Sequence, residues 1–117
     1  MPSDPDLSYG LEQAQNTWTA STTEAVVGAK GAGKRINVDS IILSATSDET
    51  AGKLVATVTI KSGSVAILGP LYLSKAEVYY LGDHLALKCA ENAALNVVVA
   101  ATGTTPLGTI RVGYYVS

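Results

Sequence analysis

Phenylalanine is absent from these 117 residues, and tryptophan, histidine, cysteine and methionine occur once each. The single cysteine, Cys89, excludes an internal disulfide and any cysteine cluster for zinc or iron–sulfur. With His84 as the sole histidine, a His-based metal cluster or a Cys–His array lacks material. Charge is scarce: 8 Lys and Arg against 10 Asp and Glu give a net charge of −2, and only 15% of residues are charged. Such a chain has no electrostatic footprint for DNA or RNA. No apolar run reaches the roughly 20 residues of a membrane helix, and Leu95–Ala101 is only strand length. Met1–Leu11 is polar and carries Asp4, Pro5 and Asp6, unlike the apolar stretch of a secretory signal.

What is present points to one folded domain. The length suits one domain and not two. The 47% hydrophobic content excludes disorder by composition. Val, Ile, Leu and Ala must build the core. Solubility then comes from Thr, Ser, Asn and Gly, or from surface hidden in an assembly.

From Trp18 onward the signal has period two, the mark of strands. Leu54, Ala56, Val58 and Ile60 share one face, opposite Lys53, Thr57, Thr59 and Lys61. The pattern returns in Leu85/Leu87/Cys89, in Leu95/Val97/Val99/Ala101 and in Ile110/Val112/Tyr114/Val116. Ile36 and Val38 lie in one phase, Ile41 and Leu43 in the other; a bulge or bend near Asp39–Ser40 would reconcile them. Strands are expected at 19–27, 35–47, 53–61, 64–68, 71–80 (broken or whole), 84–90, 94–101 and 108–116, with turns between them, including one at Gly69–Pro70. Many short strands with regular turns predict an all-β antiparallel sandwich or small barrel over residues 18–117. Residues 1–17 read as an arm, within which Glu12–Thr17 could make one helical turn.

The motifs are mostly negative. Gly28-Ala-Lys-Gly-Ala-Gly33-Lys34 fits G-x-x-x-x-G-K, but Arg35 stands where a phosphate loop needs Ser or Thr, and a strand follows instead of a helix. The segment reads as a flexible basic loop, with Lys30, Lys34 and Arg35 offering a contact to an acidic partner surface. His84 sits in a turn beside Asp83, and Asp48-Glu49 are adjacent in another; neither makes a catalytic pair. Cys89 occupies the apolar phase of its strand and reads as a buried structural thiol. No cofactor and no enzymatic activity are expected.

Tyr79-Tyr80 and Tyr114-Tyr115 must split between faces, one of each pair inward and one outward. Trp18, where the arm meets the first strand, serves either as a core anchor or as a pin against a neighbour. Leu7, Tyr9 and Leu11 are apolar in an otherwise polar arm. With Trp18 they are the candidate attachment or subunit-contact residues. The remaining outward faces are mild enough to be buried against other subunits without desolvating charge.

Lys34-Arg-Ile-Asn-Val-Asp-Ser-Ile-Ile-Leu43, Ala56-Thr-Val-Thr-Ile60 before Ser62-Gly63, Gly69-Pro70-Leu71, Leu85-Ala-Leu-Lys-Cys89, Leu95-Asn-Val-Val-Val99 and Gly108-Thr-Ile-Arg-Val-Gly-Tyr-Tyr115 resemble, in texture and order, the head decoration (cement) proteins of tailed bacteriophages. The resemblance spans Ile36 to Tyr115. It implies an eight-stranded jelly roll, a homotrimer on the capsid surface, the major capsid protein as partner, and assembly in the host cytoplasm without nucleic-acid or membrane binding. A receptor- or carbohydrate-binding domain of a head or tail fibre is the alternative, since fibre domains share this texture. A β-sandwich of a cellular assembly is a third.

Overall fold

The computed structural model describes residues 12–47, 53–75, 77–81, 85, 87–102 and 105–117. Within them the chain forms strands and no helix: β1 (Glu12–Trp18), β2 (Thr22–Val27), β3 (Ile36–Thr46), β4 (Leu54–Ser62), β5 (Val65–Ser74), β6 (Glu77–Leu81), β7 (Leu87–Lys88), β8 (Leu95–Ala101) and β9 (Leu107–Val116). One sheet runs β1-β9-β3-β6, with β7 also paired to β3; the other runs β2-β8-β4-β5. All pairings are antiparallel. Only β4 and β5 form a hairpin of sequence neighbours. The chain otherwise passes from layer to layer, which is the strand order of a jelly roll. β6 and β7 lie in line along the same edge of β3, pairing with Ile41–Ala45 and then Asn37–Val38. Together they make one interrupted strand, so the expected all-β sandwich with eight strand positions is the fold.

Alternation places the core between the layers. Val58 and Ile60 of β4, Leu95, Val97 and Val99 of β8, and Ile110, Val112 and Tyr114 of β9 are all buried. On β3 the register to β9 slips between Val38 and Ser40, at the point where the hydrophobic phase breaks. Ile36 and Val38 before the slip, and Ile41 and Leu43 after it, therefore all point inward and are buried. The Tyr pairs split as their spacing requires: Tyr114 is buried and Tyr115 exposed, Tyr79 half-buried and Tyr80 exposed. The sides of the sandwich are closed by polar links. Asn16 Nδ2 donates to Glu24 Oε1 at 2.9 Å, joining β1 to β2, and Tyr79 Oη donates to the Tyr72 carbonyl at 2.8 Å, joining β6 to β5.

Four expectations need correction. Residues 12–17, placed in the arm, form most of β1 and pair with β9 from Tyr114 to Thr109; residues 1–11 lie outside the described residues. β9 offers an unpaired side there, so the partner and not the polar sequence Glu-Gln-Ala-Gln-Asn-Thr specifies the strand. Gly69–Pro70 is not a turn between strands but a register slip inside β5. Gly69 has φ +104°, and a Cβ there would stand 2.8 Å from the Val58 carbonyl oxygen, so only glycine fits. The strand expected at 84–90 shrinks to Leu87–Lys88. Leu54 is exposed, because β4 slips against β5 between Leu54 and Ala56 and hands the inward place to Val55.

Trp18 ends β1 opposite Gly108 of β9. Its indole fills the space where a side chain at Gly108 would stand. Trp18→Ala is expected to cost about 3–5 kcal/mol and Gly108→Ala about 1–3 kcal/mol in urea unfolding. In the Trp18→Ala background the Gly108→Ala cost should largely vanish, because the clash is removed. Additive costs would refute this packing.

Candidate interaction surface

The glycine-rich loop between β2 and β3 is held from two sides. Gly31, at φ +109°, donates its amide to Asn92 Oδ1 at 3.0 Å. Gly33, at φ +76°, donates to Glu91 Oε2 at 2.6 Å. Asn92, itself left-handed at φ 52°, returns its amide to the Lys34 carbonyl at 2.8 Å. Arg35 and Ser117 exchange both backbone hydrogen bonds, at 2.9 and 3.0 Å. The loop is therefore fixed by the turn before β8 and by the chain's last residue, and the flexible-loop expectation is corrected. The Gly33 amide is taken by the protein's own Glu91 carboxylate, and β3 follows the loop where a phosphate loop would lead into a helix.

The three basic residues differ in what they meet. Lys30 Nζ lies 5.8 Å from the centroid of the Tyr114 ring, a cation–π contact. Lys34 is exposed. Arg35 is exposed and lines a groove with Lys88, Val65 and Ile67, at the side of the sandwich where β5 and β7 are the outermost strands. Trp18, the fourth described candidate, is 3% exposed and belongs to the core, so of its two readings the core anchor fits its burial. Its Nε1 is buried and has no hydrogen-bond partner among the described residues. Leu7, Tyr9 and Leu11 lie outside the described residues, as do His84, Asp48 and Glu49.

Sequence reading missed a second surface. On the outer face of the first sheet, Ile42 stands opposite Tyr80, and Ser44 opposite Val78. Thr46 stands opposite Leu107. Ile42, Val78, Tyr80 and Leu107 are 37, 63, 60 and 45% exposed. A shallow depression beside them is lined by Ser44, Thr46, Val78, Leu107 and Thr109. The one cation registered there, Arg111 opposite Ile42, gives its Nε to Gln13 Oε1 at 2.8 Å. Tyr80 carried the only signal in the sequence, as the outward member of its pair.

The chemistry of the described residues is quiet. No group of three or more His, Cys, Asp or Glu among them could hold a metal ion. Cys89 is buried, and burial pushes its thiol up, while a hydrogen bond with Ser62 partly lowers it. Burial, and then the Glu12 carboxylate whose Oε1 accepts the phenol hydrogen bond at 3.3 Å, push Tyr114 up.

No protein-family model matches the chain, and no curated protein matches its sequence. Among solved structures it is similar to a chain of the acidic stable capsid structure of Helicobacter pylori bacteriophage KHP30, with 14% identity and a TM-score of 0.57, covering 90% of this chain and 86% of that one. It also aligns with chains of infectious bursal disease virus. The Gt strain gives 11% identity and a TM-score of 0.45, and the T13 particle 12% and 0.42. There it covers 91% and 90% of its own length but only 32% and 31% of those longer chains. At such identities the likeness to the phage capsid chain shows the fold.

Two outcomes follow from the site chemistry. The Cys89 thiol should stay unmodified by an aromatic disulfide reagent in the native protein and react fully in denaturant; fast native labelling would contradict its burial. The fold favours the protonated Tyr114 phenol. That contribution is full below the unfolded value near 10 and fades as pH rises through the higher folded value. Urea unfolding between pH 8 and 11 should show a shallower alkaline loss in Glu12→Gln than in the parent chain.

Proposed function

We propose that this chain is a non-enzymatic structural protein of a virus particle, one that decorates a capsid and stabilises it by bridging capsomers. The observation that carries this reading is the exposed apolar face of Ile42, Val78, Tyr80 and Leu107 on an otherwise complete jelly roll. A chain with so few charges that leaves Val78 and Tyr80 more than half exposed on one face of β6 has a surface suited to a protein partner. The fold shared with the phage KHP30 capsid chain supports a phage virion as the setting. The partners are further copies of the chain, as a homotrimer, and the major capsid protein; the location is the outer capsid surface, after assembly in the host cytoplasm. Binding that occurs only on the assembled shell stabilises it by mass action and needs no reaction centre.

Exposed tyrosines favour a second reading. Tyr72, Tyr80 and Tyr115 are 58, 60 and 42% exposed, and such rings stack on sugars, as a receptor- or carbohydrate-binding fibre domain would use them.

Light scattering should give a mass about three times the 12.0 kDa of one chain. Val78→Asp with Tyr80→Asp should lower that mass or abolish sedimentation with shells. A monomer that binds no shell, but binds a glycan through Tyr72 or Tyr80, would replace this reading with the second. The arm test is deletion of residues 1–11 and not 1–17, which would remove β1. Weaker shell binding is expected, and unchanged affinity would exclude Leu7, Tyr9 and Leu11 from attachment.

A further inference from the structure

The groove between β5 and β7 has three properties that specify its occupant. Val65 and Ile67 give it an apolar wall, and Val65 is 65% exposed. Arg35 and Lys88 give it two exposed cations, and neither has a carboxylate partner among the described residues. Glu91, close by in sequence, is already held by the Gly33 amide. The outer edge of β5 pairs with no strand among the described residues; Tyr79 caps its Tyr72 carbonyl, and the Val65–Ile67 part beside the groove is where a strand can be added. An extended segment with acidic and apolar side chains satisfies all three.

The chain carries such a segment just before β1. Residues 1–11 contain Asp4 and Asp6 and no Lys or Arg, followed by Leu7, Tyr9 and Leu11 at every second position. Extended, the two carboxylates share one face and the three apolar side chains the other. The segment enters the fold at Glu12, which stands in one row with Tyr114, Val38 and Leu87 across the first sheet. Glu12 therefore stands at the β1 edge of that sheet, whereas the groove lies on the β7 side. A donor on one edge and an acceptor on the other make a head-to-tail contact, which closes into a ring when the rotation allows.

We infer that residues 1–11 of one copy dock in the β5/β7 groove of the next, with Asp4 and Asp6 against Arg35 and Lys88 and with Leu7 and Tyr9 on Val65 and Ile67. This rests on the self-association within the proposed function and assigns it a contact.

Four full-length chains test it by sedimentation equilibrium, with circular dichroism to check the fold. Arg35→Glu with Lys88→Glu should weaken assembly by roughly tenfold or more, and so should Asp4→Lys with Asp6→Lys. The chain carrying all four changes should recover most of the parent affinity, and the differences should shrink in high salt. Unchanged assembly in the double variants, or no recovery in the quadruple one, overturns the docking while leaving self-association standing. A parent chain that is itself monomeric overturns both. Leu7→Cys with Ala90→Cys, joined by a short bismaleimide, should give covalent multimers on a denaturing gel. Closure within single chains only would overturn docking between copies.

Discussion

The slip of β3 against β9 at Asp39 is the constraint on which the first sheet depends. A strand presents alternate residues to the core, yet β3 carries Ile36 and Val38 in one phase and Ile41 and Leu43 in the other. Without the slip, one pair would face water, at a cost of about 1.5–3 kcal/mol for each side chain. The extra residue also shapes its other neighbour. The Asp39 carbonyl accepts the Leu85 amide at 2.9 Å, between the β6 and β7 pairings, so the interrupted strand follows the bulge of the strand it lies against.

Strands were legible where each residue's own burial fixes its face. β4, β8 and β9 follow from alternation, and the β3 bulge from a break in it. β1 was not legible: Glu12, Gln13, Gln15 and Asn16 carry no apolar rhythm, and the strand exists because β9 has a free side to offer. The span from Leu85 to Cys89 misled in the opposite way. Its rhythm is right, and Cys89 is buried; among the described residues Leu87 and Lys88 are the strand, with the Leu85 and Cys89 amides bonded to the Asp39 and Ile36 carbonyls of β3 on either side. The basic loop was misread because its anchors, Glu91 and Asn92, lie 58 and 61 residues away from Gly33 and Gly31. Local sequence cannot announce a partner at that distance. The groove joins Arg35, Val65 and Lys88 from three parts of the chain, of which only Arg35 was foreseeable as a contact residue.

Several of the chain's few carboxylates are spent inside the fold. Glu91 holds the glycine loop, Glu24 links β2 to β1, and Glu12 meets the Tyr114 phenol. Beside these ties the described surface shows aliphatic side chains such as Val65 and Val78 and the rings of Tyr72, Tyr80 and Tyr115. Surfaces of that kind discriminate by shape and by a few charges, which suits the structural role proposed above.

Trp18 is the chain's only indole, and it is sealed against Gly108 with its Nε1 unbonded among the described residues. Its fluorescence therefore comes from a single known spot, the end of β1, in surroundings dry enough to shift emission toward the blue. Any event that peels β1 from β9 would move that colour before the rest of the sandwich opens. The molecule thus carries an intrinsic optical gauge of whether its first strand is seated, readable in the isolated protein without attaching a dye.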